Sequence, residues 1–123
     1  MPSQAIHQLA AALKTLKTDL FHKDFLLTWE HPEDQIKAIL TVAETFKRLH
    51  QEGYSYRSFD TGLAISIFRD NSTRTRFSFA SAASAMGLSL SDLDEQKSQI
   101  AHGETVRETA NMISFLTEVI GIR

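Results

Sequence analysis

Apolar residues recur at helical spacing twice in the first half of the chain. Ile6, Leu9, Leu13, Leu16 and Leu20 fall on one stripe, which predicts an amphipathic helix with Ser3 as its cap. Residues 24–28 form an apolar connector. Ile36, Ile39, Leu40, Ala43 and Phe46 then repeat the helical period over residues 32–51. Pro32 suits the first turn of that helix, and Gly53 suits its end. Beyond a polar and aromatic connector at 54–61, the pattern changes. Residues 63–68 (LAISIF) are a short apolar, partly β-branched run that predicts a buried strand. Residues 74–86 are rich in alanine and carry no proline or glycine, so they predict a helix closed by Gly87. Residues 88–93 alternate apolar and polar, predicting a second strand. A polar loop at 94–102 leads to a helix over 104–117, with Val106, Ala110, Ile113 and either Leu116 or Phe115 inward. Residues 119–122 predict a third strand.

Strand, helix, strand, helix, strand is the pattern of a parallel sheet covered by helices. The expected class is therefore α/β, a three-layer αβα arrangement with right-handed crossovers. Ligands in such sheets sit beyond the carboxyl ends of the strands. Ser72 follows the first strand, the 94–102 loop follows the second, and Arg123 ends the third, so three separate segments are expected at one edge.

Composition narrows the function classes. A formal net charge of −2 lacks the basic surplus of a nucleic-acid binder, leaving Arg69, Arg74 and Arg76 as a local basic patch only. With no cysteine there is no disulfide, which is compatible with a cytoplasmic protein. No apolar run approaches the roughly 20 residues needed to span a bilayer. The first 18 residues lack acids and contain Lys14 and Lys17, but without arginine or a long apolar core they read as an ordinary amphipathic helix.

The densest chemistry lies in residues 68–77 (FRDNSTRTRF). Asn71, Ser72 and Thr73 stand at a strand-to-helix join, where helix caps favour such side chains. Unpaired amide groups and the positive end of the helix dipole gather there with hydroxyls and guanidinium groups, a combination suited to phosphate. Arg74 and Arg76 are about 200° apart on a helix and cannot share one task. Arg74 is expected to hold a ligand and Arg76 to make structural contacts. The plainer reading is a capped, solvated helix start with surface arginines.

Residues 72–76 (STRTR) after an apolar strand resemble the carbamoyl-phosphate signature of the aspartate/ornithine carbamoyltransferases. Residues 98–105 (SQIAHGET) resemble the loop that this family extends into a neighbouring subunit's active site. Residues 119–123 (VIGIR) resemble the next strand and its ligand-contacting arginine. The resemblance runs from about Phe25 to the end of the chain, and the wording of residues 92–102 is nearest to the YgeW-like branch. It implies the amino-terminal, carbamoyl-phosphate-binding part of a subunit, with helices over 1–52, a βαβαβ portion over 62–123, and an acceptor-binding domain outside these residues.

The resemblance also implies roles. Ser72, Thr73, Arg74 and Thr75 would grip the phosphate, while Thr75 and Arg123 would polarise the carbamoyl oxygen. Ser98, Gln99 and His102 would reach the phosphate of an adjacent subunit, making the protein an oligomer, by resemblance a homotrimer with shared sites. The implied partners are carbamoyl phosphate and an amine acceptor of unknown identity, with no cofactor. The chain departs from its relatives in this loop: aspartate-type members carry lysine where His102 stands, and ornithine-type members carry it where Gly103 stands. Histidine supplies less positive charge than lysine near neutrality, so donor affinity is expected to differ. The plainer reading of residues 98–103 is a solvated surface loop.

Other constellations are weaker. The five histidines show no metal-ligand spacing, and Asp92, Asp94 and Glu95 read as a solvated acidic turn without a calcium-loop pattern. Neither a P-loop nor a glycine-rich dinucleotide turn is present. A non-catalytic phosphate-ligand-binding or regulatory protein stands as the alternative to a transferase.

Overall fold

The computed structural model describes residues 1–69, 71–94 and 99–123, without the side chains of Gln99 and Ile100. The chain forms two compact units, Met1–Tyr56 and Arg57–Arg123.

The first unit pairs α1 (Gln4–Leu13) with α2 (Glu33–Gln51). Ile6 and Ala38 are its buried apolar residues. Helix α1 ends earlier than the leucine stripe implies. After Leu13 the chain tightens to an i→i−3 bond from Lys14 to Ala11, and the Thr15 hydroxyl donates to the Ala12 carbonyl at 2.8 Å. That local side-chain bond competes with continued helix, and leaves Leu16 and Leu20 beyond it. Leu40 and Ala43 of the second stripe are exposed, while Ile36, Ile39 and Phe46 are half-buried.

Ser3 does not cap α1 through its side chain. Its amide and hydroxyl instead donate to the Glu52 carboxylate, at 2.9 and 2.5 Å, tying the start of α1 to the end of α2. These bonds hold the Glu52 carboxyl below its ordinary value of 4.5. A depressed carboxylate stabilises the fold above its unfolded pKa, and that contribution is lost as pH falls through the lower folded value. Glu52→Gln should therefore remove part of the acid sensitivity of unfolding as pH falls below 4.5. Identical pH profiles for variant and wild type, read from urea midpoints, would show that the contact contributes nothing.

The second unit carries the expected α/β order: β1 (Leu63–Ile67), α3 (Thr73–Met86), β2 (Ser89–Asp92), α4 (Val106–Ser114) and β3 (Val119–Ile122). The three strands are parallel in the order β2-β1-β3. Central β1 is buried through Ala64, Ile65 and Ser66, whereas β2, an edge strand, is exposed along its length. Ala64, Ala83 and Leu88 form the core, with Phe79 packed against it. Phe79 also meets Phe68 edge-to-face at 5.6 Å and lies over Gly121, so α3 covers the face bearing Ala64, Phe68 and Gly121. Helix α4 lines a mostly apolar cavity of about 330 Å³ with Ile67, Ile120 and Ile122 on the other face. Helices on both faces complete the αβα layering.

Helix α4 starts at Val106, two residues later than expected, because Thr105 and Glu108 form a reciprocal capping box. It ends at Ser114. Thr109 and Ile113 are buried, but Val106, expected inward, is 68% exposed, and so are both alternatives for the last inward position, Leu116 at 64% and Phe115 at 88%.

Candidate functional site

Two strand ends place the site. Main-chain bonds bracket Arg123 against β1: its amide donates to the Ile67 carbonyl at 3.0 Å, and its carbonyl accepts from the Arg69 amide at 3.2 Å. The backbone of Arg123 is therefore an extension of the β1–β3 ladder. Across the turn, α3 opens with Ser72 as its N-cap, extended at φ −67° and ψ 101°. The Ser72 hydroxyl accepts from the Thr75 amide, at a long 3.4 Å, and lies 2.9 Å from the Thr75 hydroxyl. The Arg76 amide donates to the Ser72 carbonyl at 3.2 Å, closing the first helical turn.

Side chains from the two segments meet. Arg123 Nη1 donates to Ser72 Oγ at 3.2 Å and to Thr75 Oγ1 at 2.5 Å. Thus Ser72, Thr75 and Arg123, 51 residues apart at the extremes, form one cluster at the carboxyl edge of the sheet. The amides of Thr73 and Arg74 have no hydrogen-bond partner among the described residues, and a 14-residue helix directs its positive end there. Arg74 is exposed and makes no ion pair among the described residues. Hydroxyls, two unpaired amides and two guanidinium groups can together accept a tetrahedral oxyanion.

Arg76 has a different environment. Its Nη1 reaches both oxygens of Asp92, at 3.0 and 2.9 Å, and its Nη2 donates to the Phe68 carbonyl at 2.5 Å. Asp92 Oδ1 also accepts from the Ser66 hydroxyl at 2.7 Å. Asp92 is thus a paired carboxylate rather than part of a solvated acidic turn, a contact the sequence reading missed. Its signal was the parallel register that sets Ser66 beside Asp92. A neighbouring cavity of about 410 Å³ is lined by Arg69, Asn71, Arg76, Asp92 and Asp94 among others, and none of residues 72–75 lines it.

Ser98, with Glu95, lies outside the described residues, and so does the Gln99 side chain. The second half of the expected polar loop is a 3₁₀ turn, Gln99–His102. His102 is exposed and joins none of the cluster's hydrogen bonds among the described residues.

Residues 23–123 match the family described as aspartate/ornithine carbamoyltransferase, carbamoyl-P binding domain. The chain is 57% identical over 120 residues to YgeW of Escherichia coli strain K12, a provisionally named carbamoyltransferase, covering 98% of this chain and 30% of that protein. It is 34% identical over 107 residues to ornithine carbamoyltransferase of Prochlorococcus marinus, covering 85% of this chain and 32% of that one. Ornithine carbamoyltransferase from Pyrococcus furiosus superposes with a TM-score of 0.75 at 32% identity, over 82% of this chain and 32% of that one. The chain spans about a third of the length of these relatives. It belongs to the aspartate/ornithine carbamoyltransferase family and corresponds to the family's carbamoyl-phosphate-binding domain.

Proposed function

We propose that the full-length protein transfers the carbamoyl group of carbamoyl phosphate to an amino group of an amino-acid-like acceptor, and that this chain holds the donor. The observation that carries the reading is the joining of Arg123 to the hydroxyls of Ser72 and Thr75 at the start of α3. In the reaction the amine nitrogen bonds to the carbamoyl carbon, the bond from that carbon to the phosphate oxygen breaks, and phosphate leaves with the electron pair. The nitrogen sheds its proton. Phosphate is a good leaving group, so placement and charge neutralisation supply most of the acceleration.

Ser72, Thr73, Arg74 and Thr75 bind the phosphate through side chains and first-turn amides. Thr75 and Arg123 face the carbamoyl oxygen, where negative charge grows during attack. The acceptor is bound by a second domain outside these residues. Among the described residues, no helix is long and apolar enough to cross a membrane. We infer a cytoplasmic enzyme of amino acid metabolism from the likeness to ornithine and aspartate carbamoyltransferases. The direct test follows phosphate release by the full-length protein given carbamoyl phosphate and a panel of amino acids and other amines. Release dependent on one amine supports the transferase, whereas donor binding without release for any amine favours a regulatory binding protein.

Ser98, Gln99 and His102 complete the site of a neighbouring subunit in a homotrimer. Mixing inactive Arg74→Ala subunits with inactive Gln99→Ala subunits should then restore activity, because some sites receive both wild-type segments. Inactive hybrids, with subunit exchange verified by mass, would place each site within one chain.

A further inference from the structure

The pairing of Arg76 with Asp92 bridges the turn that presents Ser72. Through Nη2 the side chain of Arg76 holds the Phe68 carbonyl, where β1 ends, and through its amide the backbone holds the Ser72 carbonyl, where α3 begins. One residue therefore grips both ends of the turn. What fixes its guanidinium is Asp92, at the end of β2, and Asp92 is itself anchored. The Ser66 hydroxyl donates to it from the central strand, where Ser66 is 3% exposed and is the register partner of Asp92. The ion pair is only partly exposed, 34% for Arg76 and 44% for Asp92, so screening weakens it without abolishing it.

We propose that Asp92 is a positioning residue for the donor site, acting through Arg76, an inference that rests on the donor-binding reading above. Asp92 holds the Arg76 guanidinium on the Phe68 carbonyl, and so fixes the end of β1 against the first turn of α3, where Thr75, one residue earlier, keeps its hydroxyl beside Arg123. Without Asp92 the guanidinium loses its charged partner, the turn that presents Ser72 loosens, and ordering it again on binding lowers donor affinity.

The test is a double-mutant cycle on donor affinity in the full-length protein, read by calorimetry with carbamoyl phosphate and, separately, with inorganic phosphate. Asp92→Asn keeps an acceptor for Ser66 while removing the charge. It should raise the donor Kd about tenfold, within the coupling range of contacting groups. Arg76→Met should have a similar effect, and the double variant should be within about twofold of either single one. A purely structural pair would lower the unfolding midpoint and leave Kd unchanged in the folded variants.

Unchanged affinity in folded Asp92→Asn, or single effects that simply multiply in the double variant, overturns the proposal. If the asparagine variant does not fold, Asp92→Glu, which keeps the charge but displaces it by one methylene, should weaken binding severalfold, and wild-type affinity there overturns the proposal. Wild type that binds neither carbamoyl phosphate nor phosphate overturns the donor-site reading and this inference together. Wild type that binds while Asp92→Asn matches it overturns this inference alone.

Discussion

Arg74→Ala in the full-length protein should weaken carbamoyl phosphate binding by tens-fold or more with the fold intact. The side chain is exposed at the first turn of α3 and makes no ion pair among the described residues, so its removal costs little packing. On the reading proposed above it meets the phosphate as a charge-assisted donor. Losing such a contact costs roughly 2–4 kcal/mol after partial desolvation. Arg76→Ala should behave differently, because its guanidinium is engaged by Asp92 and the Phe68 carbonyl. That loss acts on stability as well as on binding. Calorimetry and thermal unfolding on both variants separate the cases. Wild-type affinity in a folded Arg74→Ala protein would remove Arg74 from the site.

The second large effect is on folding. Gly87→Ala should destabilise the βαβ unit by about 3 kcal/mol or more. Gly87 closes α3 at φ +98°, in the left-handed region, and an added Cβ would lie 2.0 Å from the Phe59 carbonyl oxygen. Phe59 cannot simply retreat, since its amide and that of Ser58 both donate to the Met86 carbonyl, at 3.0 and 3.1 Å. Gly53 provides the comparison. It is also left-handed, at φ +78°, but a Cβ there meets nothing within 4 Å. Gly53→Ala should cost only the backbone strain, about 1–2 kcal/mol. Urea unfolding that gives equal losses at the two positions would show that the Phe59 contact carries no weight.

Much of this architecture was legible because the decisive signals are local. The apolar run at 63–67, the Ala-rich helix after Ser72, and the glycine after Met86 each state their own conformation within a few residues. The order of those elements then implies a parallel sheet and a single ligand edge. Arg123 could be placed there because it follows the third strand, and the residue separation of Arg74 and Arg76 on a helix was enough to send them to different surroundings.

What could not be read depends on register and competition. The Asp92–Arg76–Ser66 contacts arise from the pairing of β1 with β2, a long-range fact that no local pattern carries. The early stop of α1 turns on Thr15 bonding back to Ala12, which an apolar stripe does not reveal. The reciprocal capping of Thr105 and Glu108 that starts α4 is a signal apolar spacing does not carry, and that spacing assigned Val106, with either Leu116 or Phe115, to the interior. Over a sheet of three short strands, fewer of those apolar positions find a partner.

The central claim is that residues 72–75 and Arg123 hold carbamoyl phosphate, and titration of the full-length protein with that ligand by calorimetry tests it most directly. Wild type should bind carbamoyl phosphate at one site per subunit. Arg74→Ala and Arg123→Ala should each lose tens-fold or more in affinity while keeping the wild-type circular dichroism. Undetectable binding by wild type, or equal affinity in both folded variants, would contradict it.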